Sequence, residues 1–351
     1  MVWVTHPSKE EDFETLIEVT RGGIVESVHY GAIAVSDGQG SITWSAGDPD
    51  LLSFPRSSLK PLQVLALVAR GGMDRFGLTP DELAIMAGSH GGEPIHVETV
   101  LSVLGKIDAP PEALMCGVQV PLDAAAARTL AASAKPPGAL FNNCSGKHAG
   151  MLALARLLDA PLAEYIDPDH PAERVIRDTL VDLLDLNPAN LPIGLDGCSA
   201  PAYAVTLGAM ARGFALLSAP SGAPGEWQAP LQTIASAMRS HPVLVGGSQH
   251  RLDTDVMRLG RGLIAKSGAE GYFCIAHPDG FGMALKIQDG DAANRARLLA
   301  TVIAAYRQGW LTDHDLANSL SEYGPELPLF NLAGRRVGEV RPAAVFAPSS
   351  G

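Results

Sequence analysis

The sequence is poor in lysine. Seven lysines, at 9, 60, 106, 135, 147, 266 and 286, stand among 26 basic residues, and the rest are arginine. Basic charge is itself in deficit: 38 acidic residues leave a formal charge of −12. That balance argues against nucleic acid and anionic membranes as partners. Cysteine is equally sparse, at 116, 144, 198 and 274 only. Positions so far apart argue against a disulfide framework and for reduced thiols in a cytoplasmic protein. A buried, inert thiol is the simplest reading of each. The opening stretch "MVWVTHPSKEEDFE" lacks the basic-then-apolar order of a signal peptide. No apolar run reaches the length that spans a bilayer, and no internal repeat is present. What is there is a chain of 351 residues, 46% hydrophobic and 18% charged, enough for one large core or two modest domains.

Strand-forming sequence lies at both ends. Residues 15–47 carry β-branched residues in partial alternation, with a hairpin turn in "SDGQGSITW". Strands return near 262–288, with a turn at "PDGFG", and "RRVGEVRPA" predicts a last strand. Between them, 93–236 reads as mostly helical, including "AAAARTLAAS", "KHAGMLALARLLDA", "AERVIRDTLVDLLDL" and "APAYAVTLGAMARGFALLS". "LQVLALVARGG" reads as a buried helix, "APSGAPGEWQAP" (219–230) as the clearest flexible loop, and "ANRARLLATVIAAYRQGW" as a late helix. The expected fold is α+β. An antiparallel sheet built from N- and C-terminal strands is flanked by helices, with a central, mainly helical subdomain. The approximate division within a single catalytic unit, 1–351, is 1–60 with 245–351 for the sheet part and 61–244 for the helical part. A cleft between the two parts is the natural place for a site.

The stretch "PRSSLKP" asks why a scarce lysine is kept at 60. A helix starting near Ser57 puts Ser57 and Lys60 on one face, and Pro61 marks a helix start rather than a break. The helix N-terminus favours an alkoxide and disfavours a charged lysine. A lysine made less basic by burial or a nearby cation can take a serine proton. The simpler reading of S-x-x-K alone is a helix start with an exposed lysine. The pattern does not stand alone: "Lys266-Ser267-Gly268" follows on a returning strand. S-x-x-K followed by K-[ST]-G, in that order, is the pattern of serine β-lactamases and penicillin-binding proteins.

Two more polar clusters stand out. "GSHGGEPIHVE" (88–98) puts Ser89 on a glycine-flanked turn before a helix. Helix capping explains it, and so does a second active-site serine beside backbone N–H groups. "FNNCSGKHAGML" (141–152) gathers Asn142, Asn143, Cys144, Lys147 and His148, and "GLDGCSAP" (194–201) adds Asp196 and Cys198. Two thiols with His or Asp are zinc-ligand chemistry, though neither stretch has C-x-x-C spacing.

Together "RSSLKP", "GSHGGE", "NNCSGKHAGM", "GLDGCSAP", "AKSGAEG", "MALKIQDG" and "VGEVRP" resemble the rhizobial-type (class 3) L-asparaginases, grouped as the asparaginase II family. The matching stretches run from residue 56 to 342. The resemblance implies a fold similar to serine β-lactamases and glutaminases, a homodimer, and hydrolysis of L-asparagine to L-aspartate and ammonia. It implies two serine–lysine pairs, Ser57 with Lys60 and Ser89 with Lys266, Lys286 being the rival for the second. It also implies a zinc ion on Cys144, Lys147 and Cys198, with a deprotonated lysine ligand and an orienting rather than chemical role. His148 and Asp196 fall beside that ion and Arg56 beside the nucleophile. The chain departs from the family pattern at Ser199 and Ala200, where Gly-Val or similar is expected.

On that resemblance Ser57 attacks the side-chain amide carbon, Lys60 carries the proton, and Ser89 with Lys266 relays protons or polarises the first pair. Two rivals stay open: a glutaminase or β-lactam-type hydrolase on the same scaffold, and a non-catalytic penicillin-binding sensor. The second has its ligand outside the cytoplasm, which the N-terminal sequence disfavours.

Overall fold

The computed structural model describes residues 10–291 and 294–347. Residues 1–9, on which the reading of the N-terminal stretch falls, lie outside the described residues. So do 348–351 at the other end of the expected unit.

The two ends of the chain share one antiparallel, eight-stranded sheet. Its strands are β1 (Glu14–Arg21), β2 (Ile24–Asp37), β3 (Ile42–Ala46), β4 (Ile264–Ser267), β5 (Tyr272–His277), β6 (Phe281–Ile287), β7 (Leu327–Phe330) and β8 (Arg336–Pro342). The order across the sheet is β7-β8-β1-β2-β6-β5-β4, with β3 also on β2. Strand β2 is the join. Its first half pairs with β1, from Ile24 opposite Arg21 to Gly31 opposite Glu14, and its second half pairs with β6, from Gly31 opposite Ile287 to Asp37 opposite Phe281. The changeover needs a glycine, because a Cβ on Gly31 would lie 2.6 Å from both Leu16 Cδ1 and the Lys286 carbonyl. The α+β expectation holds, and so do the hairpin turn before Ile42 and the turn between His277 and Phe281.

The helices that position the site are α1 (Lys60–Gln63), α2 (Pro80–Met86), α3 (Pro94–Lys106), α4 (Ser145–Leu157), α5 (Pro171–Leu184), α6 (Leu207–Ser218), α7 (Gly225–Ser240), α8 (Leu252–Arg258) and α9 (Arg295–Arg307). Helix α6 lies on β2, β5 and β6. It comes so close at Gly282 that a Cβ there would sit 2.0 Å from the Ala211 carbonyl. Helix α9 packs on β1, β5, β6 and β8, while α2, α3, α4 and α7 pack on one another. One continuous apolar core runs under both parts.

Two sequence expectations are corrected. Residues 219–230 are not a flexible loop: a 3₁₀ turn at Pro220–Gly222 leads into α7, which contains Pro230. Proline there costs one backbone hydrogen bond. Burial of Trp227, Leu231, Ile234 and Met238 on one face outweighs it. The helix expected over "APAYAVTLGAMARGFALLS" begins only at Leu207, where the Thr206 hydroxyl accepts from Ala209 N. Pro201–Tyr203 instead pairs with Ile193–Leu195, and Val205–Thr206 pairs with Leu52–Ser53.

Candidate active site

The chain reaches Ser57 through a strained turn. Arg56 sits at φ 53 in the left-handed region, a conformation that costs an arginine free energy and that clusters at functional sites. A 3₁₀ turn, Arg56–Leu59, then runs straight into α1, with Pro61 at its second position. This aims the three side chains differently. Ser57 is half-buried, and its hydroxyl has no hydrogen-bond partner among the described residues. Ser58 points inward and donates to the Lys266 carbonyl at 2.9 Å. Lys60 is buried, with Nζ 2.8 Å from Gly88 O, 2.8 Å from Ser89 Oγ and 3.2 Å from Asn143 O. The amine donates to all three.

The structure therefore brings Lys60 together with Ser89 and leaves the Ser57 hydroxyl without a hydrogen-bond partner among the described residues. Ser89 is fixed by its N–H, which donates to Val245 O at 2.7 Å. The next residue, His90, is buried and shares a 2.9 Å hydrogen bond with Ser145 at the start of α4. It also stacks on His96.

Lys266 occupies the end of β4, fully buried, with Nζ donating to Ser267 O at 2.9 Å and lying 3.6 Å from Asp253 Oδ1. No hydrogen bond joins it to Ser89. Burial pushes its amine down to about 8, against the pull of Asp253 upward and with the charges of Lys60 and Arg251 helping it down. The close approach of the two motifs depends on Gly268, where a Cβ would lie 2.3 Å from the Pro55 carbonyl. Lys286 points elsewhere, with Nζ donating to Glu270 O and Ile287 O.

Cys144 caps the start of α4, which carries Lys147 and His148 one turn on, and Cys198 arrives from the turn after Leu195. Lys147 Nζ is 3.1 Å from Cys198 Sγ, and all three groups are buried. Cys198 donates its S–H to Cys144, which holds the Cys144 thiol well below its usual range and, by the same bond, pushes Cys198 up. Burial works against charge on Lys147, but the two sulfurs hold it above its ordinary value. Two sulfurs and a buried amine are a donor set that fits zinc. Among the described residues no three His, Cys, Asp or Glu side chains converge for a metal. Next to this set, His148 Nδ1 meets the Tyr165 hydroxyl at 2.6 Å, while its Nε2 is buried without a partner.

Arg56 forks onto Asp196 through Nε at 2.9 Å and Nη2 at 2.6 Å. Burial alone would raise that carboxyl, but Arg56 and Lys147 hold it below the usual carboxylate range. Arg56, Lys60, Gln63, Lys147, Asp196 and Tyr203 line one small space, so the serine–lysine turn and the cysteine–lysine set share a wall. A wide surface depression lies elsewhere, around Trp44, Tyr306, Arg307 and Phe346. Its arginines are already engaged: Arg307 bonds Phe346 O, and Arg341 bonds Glu18.

Sequence reasoning missed three buried groups. Asp253 lies 14 residues before Ser267, whose N–H it accepts at 2.5 Å. Glu173 accepts the Tyr203 hydroxyl at 2.8 Å and is pushed up to about 7 by burial, against that bond and Lys147. Tyr165 receives Met115 N–H and faces His148. None sits in a motif. The one available signal was a carboxylate on the buried stripe of an amphipathic helix, as at Glu173 with Ile176, Leu180 and Leu183.

A family model for L-asparaginase II matches residues 17–342. No curated protein sequence matches the chain. Among solved structures, the native form of Mglu is similar at 14% identity and TM-score 0.43, over 82% of this chain and 67% of that one. A second Mglu structure is spanned over 60% of its length. A β-lactamase (Mb2281c) from Mycobacterium bovis is similar at 14% identity and TM-score 0.39, over 82% and 94% of the two chains. Probable glutaminase ybaS follows at 15% identity and TM-score 0.40, over 78% and 84%.

Proposed function

Because the chain belongs to the L-asparaginase II family, we propose that it is an amidohydrolase that converts L-asparagine to L-aspartate and ammonia through a serine ester. The observation that carries the reading is the Lys60 amine, buried and 2.8 Å from Ser89 Oγ, three residues after the half-buried Ser57.

Ser57 Oγ attacks the side-chain amide carbon. Its proton passes to Lys60, directly or through Ser89, and then to the departing ammonia. The tetrahedral oxyanion faces backbone N–H groups of the first turn. Water cleaves the ester with Lys60 as base. Arg56 and Asp196 fix each other at the edge of the reacting serine. Cys144, Lys147 and Cys198 would hold zinc, and a charge there would orient the substrate's α-carboxylate or α-amine. Lys147 lines the same small space as Arg56 and Lys60, which supports recognition near the reacting serine. The working unit is a homodimer of cytoplasmic protein. No helix among the described residues is long and apolar enough to cross a membrane.

Ammonia release from L-asparagine, L-glutamine and a penicillin-labelling control tests the reading together. Turnover of asparagine above glutamine with no stable penicilloyl adduct is expected. Turnover of glutamine alone makes it a glutaminase, and a single penicillin acylation without turnover makes it a sensor.

A further inference from the structure

Lys266 is paired with a carboxylate that the sequence motifs do not contain. Asp253 sits in the first turn of α8 and is 3% exposed. Its Oδ1 accepts the Ser267 N–H at 2.5 Å and lies 3.6 Å from Lys266 Nζ. One carboxylate thus fixes both the backbone of the K-S-G strand and the amine it carries. The charged groups around this pair are few. Lys60 on α1, Arg251 just before α8 and Cys144 at the start of α4 act on Lys266, and Arg251 and Arg297 on α9 face Asp253. Lys266 therefore has cations about it on several sides and Asp253 as its near anion.

We propose that Asp253 is a positioning residue that holds Lys266 in the site as a cation, leaving Lys60 as the sole amine that exchanges protons with serine. The proposal rests on the amide-hydrolysis reading for its consequence in catalysis. Its physical core, a buried carboxylate that keeps a proton on Lys266, stands apart from activity. The direction follows from elementary electrostatics. A buried amine loses its proton readily, and an adjacent carboxylate opposes that loss. Without the carboxylate, the remaining neighbours Lys60 and Arg251 push the same way as burial. Asparagine at 253 preserves the acceptor for Ser267 N–H while removing the charge.

Seven lysines make side-chain NMR tractable: the ε-carbon resonances of full-length protein are followed against pH, with Lys266→Met identifying the Lys266 signal. In Asp253→Asn the midpoint of Lys266 is expected to fall by about one pH unit or more, roughly a tenfold change in its protonation ratio. The descending, alkaline limb of kcat/KM should move to lower pH with it, the ascending limb staying in place. Asp253→Glu, which restores the charge, should move both back toward wild type. An unmoved Lys266 midpoint overturns the proposal, and so does movement of the ascending limb alone, which would make Lys266 the proton acceptor. If wild type releases no ammonia, the amide-hydrolysis reading fails while the NMR titration still decides the pair. If Asp253→Asn does not fold, Asp253→Asn/Lys266→Met decides. Recovered folding shows the two charges are coupled, and no recovery contradicts it.

Discussion

At the scale of single residues, the account turns on what lysine does that arginine does not. The Lys60 amine touches two carbonyls and a hydroxyl within a buried pocket, and a mechanism through Ser57 needs that amine to accept a proton. Arginine keeps its charge and cannot accept one. Lys60→Arg should lose about 10²–10⁴-fold in kcat/KM, with melting temperature showing whether the bulkier side chain is tolerated. Retention of a sizeable share of activity would make Lys60 an electrostatic anchor instead. Ser57→Ala should abolish turnover with fold and zinc content intact. Ser89→Ala should cost heavily but less completely, because Ser89 is bonded to Lys60 and Ser57 is not. A wild-type rate in Ser89→Ala would remove the second serine from the chemistry. Ser199, one of the departures from the family pattern, sits at φ 68, a conformation glycine adopts without strain. Ser199→Gly should leave stability equal or raise it by about 1 kcal/mol in urea unfolding.

At the scale of elements, the site is a meeting of segments far apart in sequence. The 55–60 turn and the end of β4 come together because Gly268 lets their backbones touch. Gly268→Ala would put a methyl 2.3 Å from Pro55 O. It should cost on the order of 1–3 kcal/mol and lower kcat as the turn moves off the Ser58–Lys266 bond. Unchanged stability and kcat would show that the contact is not what aligns the two motifs. The same segments explain what could be read in advance. S-x-x-K, K-S-G and the Cys-x-x-Lys spacing are local, so their helix and strand contexts were legible, as was the return of strands at the C-terminus. Partners joined only by folding were not. Asp253 meets Lys266, and Glu173 meets Tyr203, through tertiary packing that leaves no periodic trace. The start of α7 was misread because proline and glycine signal turns locally, whereas burial of Trp227 and Leu231 decided it. The Lys60–Ser89 bond crosses the expected assignment of lysines to serines for the same reason: one serine follows its lysine's own turn, and the other is delivered by a loop fastened to Val245.

At the scale of the whole molecule, the long strand β2 ties the N-terminal hairpin to the C-terminal strands, and the helical part closes over the edge where Lys266 emerges. Charge and metal are read out at this scale. With Lys60 needing to lose a proton and Lys266 to keep one, kcat/KM should rise from pH 6. It should pass through an optimum and fall as pH climbs through about 8, where Lys266 discharges. A profile flat across that range contradicts the division of roles. Purified protein should carry about one zinc per chain, and reversible chelation should raise KM more than it lowers kcat. Complete loss of kcat would make the metal part of the bond-breaking step. The central claim is that amide hydrolysis passes through an ester on Ser57. The most direct test is rapid acid quenching of enzyme turning over L-asparagine, followed by peptide mass mapping. An aspartyl group on the peptide at Ser57, absent in Ser57→Ala, is the predicted result. An aspartyl group on Ser89, or ammonia release in the first turnover with no ester on either serine, would contradict it.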